Sequence, residues 1–178
     1  RSVAGFRFRQ LFRNSEFKFY TTMIAAFTLF IMLELIFQRN YEVEHAFRSS
    51  VFQVVSFITT TGLYSDDAAK WPHVTWVVLA ACMFFGGSSG STSGGIKSIR
   101  GVMLVKIVKN EFRQILHPNA VLPMKIDGYN VQMSKRVTLL AFIGLYLFLA
   151  VICAFTMIAA GIDSTNSMTI TLSSLGNL

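Results

Sequence analysis

The apolar positions of this chain fall into runs of two lengths. Phe19 to Phe37 is apolar except for Tyr20, its threonines and Glu34, and Val137 to Ala160 is cleaner still. About 20 such residues cross a ~30 Å hydrocarbon layer, so both runs predict spanning helices. Three others are shorter: Ala46 to Ile58, Val74 to Phe85, and Ser167 to Leu175. Apolar runs of about 10–14 residues predict re-entrant or buried helices. Each short run stops at an unusual stretch. The first meets Thr59-Thr60-Thr61-Gly62-Leu63 and then the polar segment Tyr64 to Lys70. The second, whose first turn suits Pro72, runs straight into Gly86-Gly87-Ser88-Ser89-Gly90-Ser91-Thr92-Ser93-Gly94-Gly95. The third ends in Gly176-Asn177-Leu178.

Beyond the glycine–serine stretch, Ile96 to Leu116 resumes an amphipathic pattern. Ile96, Ile99, Val102, Met103, Val105, Ile107 and Val108 are apolar; Lys97, Arg100, Lys106, Lys109 and Arg113 are basic. Together with Val74 to Phe85 this predicts one helix interrupted inside the membrane and leaving on a basic side. Non-helical backbone at that depth is tolerated only where it is buried in protein or lines a wet cavity. His117-Pro118 ends that helix. Asp127-Gly128, flanked by alternating residues, is a short-hairpin signal, and Lys135-Arg136 precede the long final span.

Composition sharpens the membrane assignment. The chain is 53% hydrophobic and 14% charged, with mean hydropathy +0.52, where soluble domains carry about 25% charge. The net charge of +7 reports topology rather than nucleic-acid binding, because the bases are unevenly placed. Residues 1–18 hold five Lys/Arg and residues 96–136 hold eight, against three in 38–73 and none in 161–178. The positive-inside rule puts the first two segments in the cytoplasm. Residues 1–18 suit a basic interfacial helix or a plain cytoplasmic connector. Glu34 suits either the ion path or the interface. Cys82 and Cys153 both lie in apolar runs and read as buried free thiols, with no disulfide or metal implied. His45, His73 and His117 fall in separate loops with no nucleophile–base or metal spacing, so an enzyme is not expected.

The same plan occurs twice: spanning helix, polar turn, short half-helix, small-residue loop. The expected divisions are 1–18, a basic segment; 19–116, one helix–pore loop–helix unit; 117–136, a cytoplasmic connector; and 137–178, a second unit cut short. The interval from Phe19 to Gly62, repeated from Val137, runs just past Leu178, and the chain opens at Arg1 without an initiator Met, so a fragment of a longer protein is expected. Two units that both start inside imply repeats about an axis along the membrane normal. The fold class is therefore an all-α membrane protein of repeated helix–pore loop–helix units around a central pore, with one helix broken by an intramembrane loop and with lipid around the spans.

A dehydrated monovalent cation needs oxygens that replace its water shell. Thr59, Thr60 and Thr61 favour extended backbone and add hydroxyls, while Gly62 can adopt dihedrals that other residues avoid. The half-helix before them directs its negative end, roughly half an elementary charge, at the membrane centre. Glu42, Glu44, Asp66 and Asp67 either raise the local cation concentration or are ordinary solvated acids. A glycine–serine stretch is commonly a linker, but one lying between two halves of a span reads as a mobile barrier. Lys97 contacts either the path or this loop, or is a simple interior-face charge. The conducting pore subunit competes with a two-helix potassium channel, which would carry Thr-Val-Gly-Tyr-Gly after the half-helix, and with a non-conducting membrane scaffold.

Phe57-Ile58-Thr59-Thr60-Thr61-Gly62, then Phe84-Phe85 leading through the glycine–serine stretch to Ile96-Lys97, then Leu175-Gly176-Asn177-Leu178, closely resemble the membrane subunit of Trk-type potassium uptake systems, the Trk/Ktr/HKT superfamily. The resemblance covers the whole chain. It implies four repeats around one pore, of which this chain holds the third and most of the first half of the fourth. By the same resemblance Thr59 to Leu63 form the third potassium filter, with Gly62 its glycine. Gly176, Asn177 and Leu178 belong to a partial fourth filter, and Gly86 to Gly95 form the gating loop. It also implies a homodimer in a bacterial inner membrane, set on a cytoplasmic ring of nucleotide-binding regulatory subunits. Lys106 to Arg113 and Lys125 to Arg136 are then the candidate docking surface. Potassium is the transported ion and no cofactor is expected. A sodium-permeable member of the superfamily is the alternative, because the first two filter loops lie outside this sequence.

Overall fold

The computed structural model describes residues 14–66, 71–117 and 124–178. Of the basic segment 1–18 only its end is therefore described, and Asp67 and Pro118 lie outside the described residues. The elements in order are α1 Ser15–Arg39, α2 Val43–Ile58, α3 His73–Phe84, α4 Ser98–Leu116, β1 Lys125–Ile126, β2 Tyr129–Asn130, α5 Met133–Ala159 and α6 Ser164–Gly176.

Local chemistry sets the ends of these elements. The Asn14 carboxamide oxygen accepts the N–H groups of Glu16 and Phe17 at 2.8 and 3.2 Å. It thus satisfies donors that a helix start leaves unpaired, so α1 begins before the apolar run does. α1 stops where Asn40 turns left-handed, φ 52°. Asp163 caps α6 by accepting the Thr165 N–H at 3.1 Å. Pro72 stands just outside α3 at its N-cap, one position earlier than expected. Asp127-Gly128 turns the β1–β2 hairpin, which pairs Lys125 with Asn130 and Ile126 with Tyr129.

α1 has 25 residues and α5 has 27, about 37 and 40 Å at ~1.5 Å per residue. Both are long and apolar enough to cross a membrane. α5 is apolar all round, yet only Leu139 and Ile143 are buried on it; Phe148, Val151 and Phe155 are among its exposed side chains. A helix of that composition with so little protein cover is suited to hydrocarbon or to further protein, and not to water.

Two clusters hold the helices together. Ile31 and Leu35 of α1, Val54, Phe57 and Ile58 of α2, and Leu79, Cys82 and Met83 of α3 form the first, with Trp71 completing it. The second joins Ile96, Ile107 of α4, Met124 beside the hairpin, and Leu139 and Ile143 of α5. The hairpin is also tied to α4 by the Lys106 ammonium, which donates to the Lys125 carbonyl at 2.7 Å. The sequence pattern started the last limb of the broken span at Ile96, but the helix starts at Ser98. Ile96 instead pairs with Phe85 in a parallel bridge, which spends its backbone groups on closing the loop between the two limbs.

Leu35 is fully buried between α1 and its neighbours. Leu35→Ala is expected to lower the stability of the full-length protein by about 2–5 kcal/mol, and Leu35→Met by less than about 1.5 kcal/mol. Thermal unfolding in detergent measures both.

Candidate ion-pathway site

The end of α2 builds the first half of the site. The Thr60 N–H donates to the Phe57 carbonyl at 3.2 Å and the Thr61 N–H to the Ser56 carbonyl at 2.9 Å. This is the paired closure of a Schellman motif, which needs a left-handed residue at the turn. Here that residue is Thr60, φ 55°. The position usually takes glycine, and for a β-branched residue this conformation is a true outlier. The chain turns left-handed again at Gly62, φ 72°, where a β-carbon would meet nothing within 4 Å. Ser56 Oγ then donates to the Leu63 carbonyl at 2.7 Å and folds the chain back on the helix end. Thr59 Oγ1 lies 2.7 Å from Thr61 Oγ1 and donates to the Val55 carbonyl at 2.7 Å.

The threonines are therefore not extended as the sequence suggested. Thr59, at φ −82° and ψ −3°, continues the helix, and Thr60 reverses handedness. Satisfying the orphan groups of a helix end outweighs the strand preference of three β-branched residues. The consequence for the carbonyls is favourable to a cation. Among the described residues, the carbonyls of Thr59 to Gly62 accept no hydrogen bond, while that of Leu63 does.

α6 ends in a similar left-handed cap, with the Asn177 N–H also donating to the Ser173 carbonyl. Asn177 is left-handed at φ 58°, and the Leu178 N–H donates to the Ser173 carbonyl at 3.0 Å. Ser173 Oγ donates to the Leu178 carbonyl at 2.9 Å. Gly176, Asn177 and Leu178 thus occupy the places in this cap that Thr59, Thr60 and Thr61 occupy in the first.

Gly86 to Gly95 form a closed loop between α3 and α4. Its limbs are zipped by Gly86 N–H to Ile96 carbonyl at 2.9 Å, Ile96 N–H to Phe84 carbonyl at 2.9 Å, and Ser98 N–H to Gly87 carbonyl at 3.1 Å. Ser98 Oγ adds a bond to the Gly86 carbonyl at 3.0 Å. Inside, the Gly87 N–H donates to Ser93 Oγ at 2.8 Å. Lys97, whose role the sequence left open, turns into the loop: its ammonium donates to the carbonyls of Ser91, at 2.7 Å, and Ser93. Gly86, Gly87 and Ser93 are buried, whereas the tip, Ser88 to Thr92, is exposed.

This loop brings the two helix ends together. The Gly94 N–H points to Thr60 Oγ1 at 3.4 Å. A β-carbon built on Gly94 would lie 1.9 Å from the Gly176 carbonyl oxygen, so the backbones of the loop and of the α6 end are in direct contact. The C-terminal ends of α2 and α6, each carrying about half a negative charge, therefore meet at one glycine. Of the acids near these ends, Asp66 is held by Trp71 Nε1 at 3.4 Å, and Glu42 and Glu44 are exposed at the start of α2. Glu34 accepts a hydrogen bond from Gln38 one turn along α1.

Sequence reasoning missed Ser56 and Ser173, the hydroxyls that fold the chain back, and Glu16, which reaches Ser89 at the loop tip from 73 positions away. The serines recur at matching places before each loop, a signal visible on alignment of the two units. The Glu16 contact has no local pattern.

Comparison with known proteins gives a consistent result. A family model described as cation transport protein, TrkH, matches residues 10–178. The chain is 30% identical over 172 residues to the Trk system potassium uptake protein TrkH of Halomonas elongata, covering 97% of this chain and 36% of that protein. It is 30% identical over 170 residues to the Trk system potassium uptake protein TrkG of Escherichia coli, covering 96% and 35%. The crystal structure of the potassium transporter TrkH from Vibrio parahaemolyticus matches with a TM-score of 0.85 at 29% identity, over 93% of this chain and 36% of that one. The chain thus spans a little over a third of the length of the relatives it matches.

Two substitutions probe the helix ends. Thr60→Gly is expected to relieve the left-handed strain and raise stability by about 1 kcal/mol. Gly94→Ala should lower the melting temperature by several degrees, because the added methyl meets backbone rather than a movable side chain. Thermal melts of the full-length protein in detergent decide both.

Proposed function

Because the chain belongs to the TrkH family of cation transport proteins, we propose that it forms part of the pore of a potassium uptake system. The family comprises transporters, not enzymes. In this reading residues 19–116 are the third helix–pore loop–helix repeat and 137–178 the opening of the fourth. One observation carries the proposal: two half-helices end in similar left-handed caps, and both ends converge on Gly94 of the loop that interrupts a third, broken helix.

The chemistry follows from that convergence. The carbonyls of Thr59 to Gly62, which accept no hydrogen bond among the described residues, replace part of the hydration shell of a potassium ion, and the carbonyls from Gly176 onward belong to the next wall of the pore. The partial negative charge at the ends of α2 and α6 stabilises an ion at their meeting point. Gly86 to Gly95 stand in its way as the gate, held by the zipped limbs and by Lys97 from within. Opening requires the loop to leave, which its small side chains permit without emptying a packed cavity.

The remainder of the assembly follows the family. The protein is a homodimer in a bacterial inner membrane, with the connectors 1–18 and 117–136 in the cytoplasm and a regulatory ring of nucleotide-binding subunits below. A cleft of about 300 Å³ lined by Lys106, Lys109, Asn110, Arg113 and Lys125 supports this placement, since a basic surface at the cytoplasmic side suits an acidic docking face.

In the full-length transporter, Gly62→Ser places a side chain on left-handed backbone at a cost of about 1–2 kcal/mol. Discrimination of potassium from sodium is expected to fall on the order of tenfold, the equivalent of about 1.4 kcal/mol, in a competition uptake assay. Unchanged selectivity removes Gly62 from the filter. Deleting Ser88 to Ser93 is expected to raise potassium flux in cells lacking the regulatory subunit; flux that stays low makes the loop a linker.

A further inference from the structure

The exposed tip of the glycine–serine loop is fastened from outside at one place. The Ser89 N–H and Ser89 Oγ both donate to the Glu16 carboxylate, the hydroxyl at 2.9 Å. The other bonds of Ser88 to Thr92 stay within the loop or go to Lys97 at its base. Among the described residues, Glu16 is therefore the only partner of the tip that belongs to another part of the chain.

Glu16 is placed by its neighbours. It stands in the first turn of α1, where Asn14 caps the helix. The cap is thus supplied by Asn14, and the Glu16 side chain is left to reach outward. The adjacent residue, Ser15, donates from both its N–H and its Oγ to Asp127 Oδ1, at 3.0 and 2.6 Å. Asp127 is the left-handed turn residue of the β1–β2 hairpin, φ 48°. That hairpin is anchored through Lys125 to α4 and through Met124 to the second core cluster. Two consecutive residues of one helical turn therefore join the connector hairpin to the tip of the loop.

We propose that Glu16 is a positioning residue that latches the loop through Ser89, and that Asp127 sets the place of Glu16 through Ser15. Moving the hairpin then releases the loop. The proposal rests on the reading of Gly86 to Gly95 as a gate. Hydrogen bonds to a carboxylate are about twice as strong as neutral ones, yet these lie in the exposed part of the loop, where water competes. A tie of that kind holds a loop and lets it go reversibly. Bonds buried at the limbs, such as Ser98 to Gly86, do not.

The test uses the full-length transporter and reads two quantities. Hydrogen exchange of the peptide covering Gly86 to Gly95 reports the latch, and potassium flux without the regulatory subunit reports the gate. Glu16→Ala, which removes both bonds to Ser89, is expected to speed exchange of the loop about tenfold; Ser89→Ala, which keeps its N–H donor, and Asp127→Ala, which loosens Glu16 only through Ser15, are each expected to speed it by less, with exchange in α5 unchanged as the control for folding. Glu16→Gln should restore most of the protection, because its carboxamide accepts from the Ser89 N–H and donates to the Ser89 hydroxyl. Combining Glu16→Ala with Ser89→Ala should add little to Glu16→Ala alone. Unchanged loop exchange in Glu16→Ala overturns the latch whatever the flux does, and unchanged exchange in Asp127→Ala overturns the link to the hairpin. Faster exchange with flat flux leaves the latch standing and removes the gate.

Discussion

A helix that stops inside a hydrocarbon layer leaves several carbonyls with neither a next turn nor water to bond. Everything else in this structure depends on how that constraint is met. α2 and α6 close their last N–H groups back on the helix with a left-handed residue, which at the α2 end leaves the carbonyls of Thr59 to Gly62 without a hydrogen bond among the described residues. Unsatisfied oxygens are costly in lipid and useful beside a cation. In the proposed reading, the same local solution caps a helix and builds an ion site. Thr60 carries the strain of this arrangement, because it takes a turn position that glycine would fill freely, and its hydroxyl is then placed 3.4 Å from the Gly94 N–H.

The broken span meets the constraint differently. α3 and α4 do not cap their facing ends with side chains; the N–H groups of Gly86, Ile96 and Ser98 are spent on the carbonyls of Ile96, Phe84 and Gly87 across the two limbs. The two limbs form a short ladder between the two helices. That ladder isolates the loop from both helices, so its tip can differ in position without unwinding α3 or α4.

Much of this was legible in the sequence, and the limits have physical reasons. Run length separated α1 and α5 from the half-helices, because bilayer thickness is a hard ruler. Asp127-Gly128 announced its turn, because few dipeptides accept two left-handed residues in succession. The glycine–serine stretch announced itself by composition. The backbone of Thr59 to Thr61 did not: strand preference was outweighed by helix capping, a competition that propensity alone does not resolve. The role of Lys97 stayed open until its ammonium was seen to close on Ser91 and Ser93. The contacts of Glu16 with Ser89 and of Ser15 with Asp127 join residues 73 and 112 positions apart, and no periodicity encodes such a meeting.

The contact between Gly94 and Gly176 has a mechanical consequence. Most packed surfaces interlock through side chains, so sliding one past another demands that knobs leave their holes. Here the Gly94 main chain rests mainly on the Gly176 main chain, as in a plain bearing. One face can glide along the other with few rotamers to reset. A joint of this type tolerates repeated displacement, but it has no slack for even one added carbon.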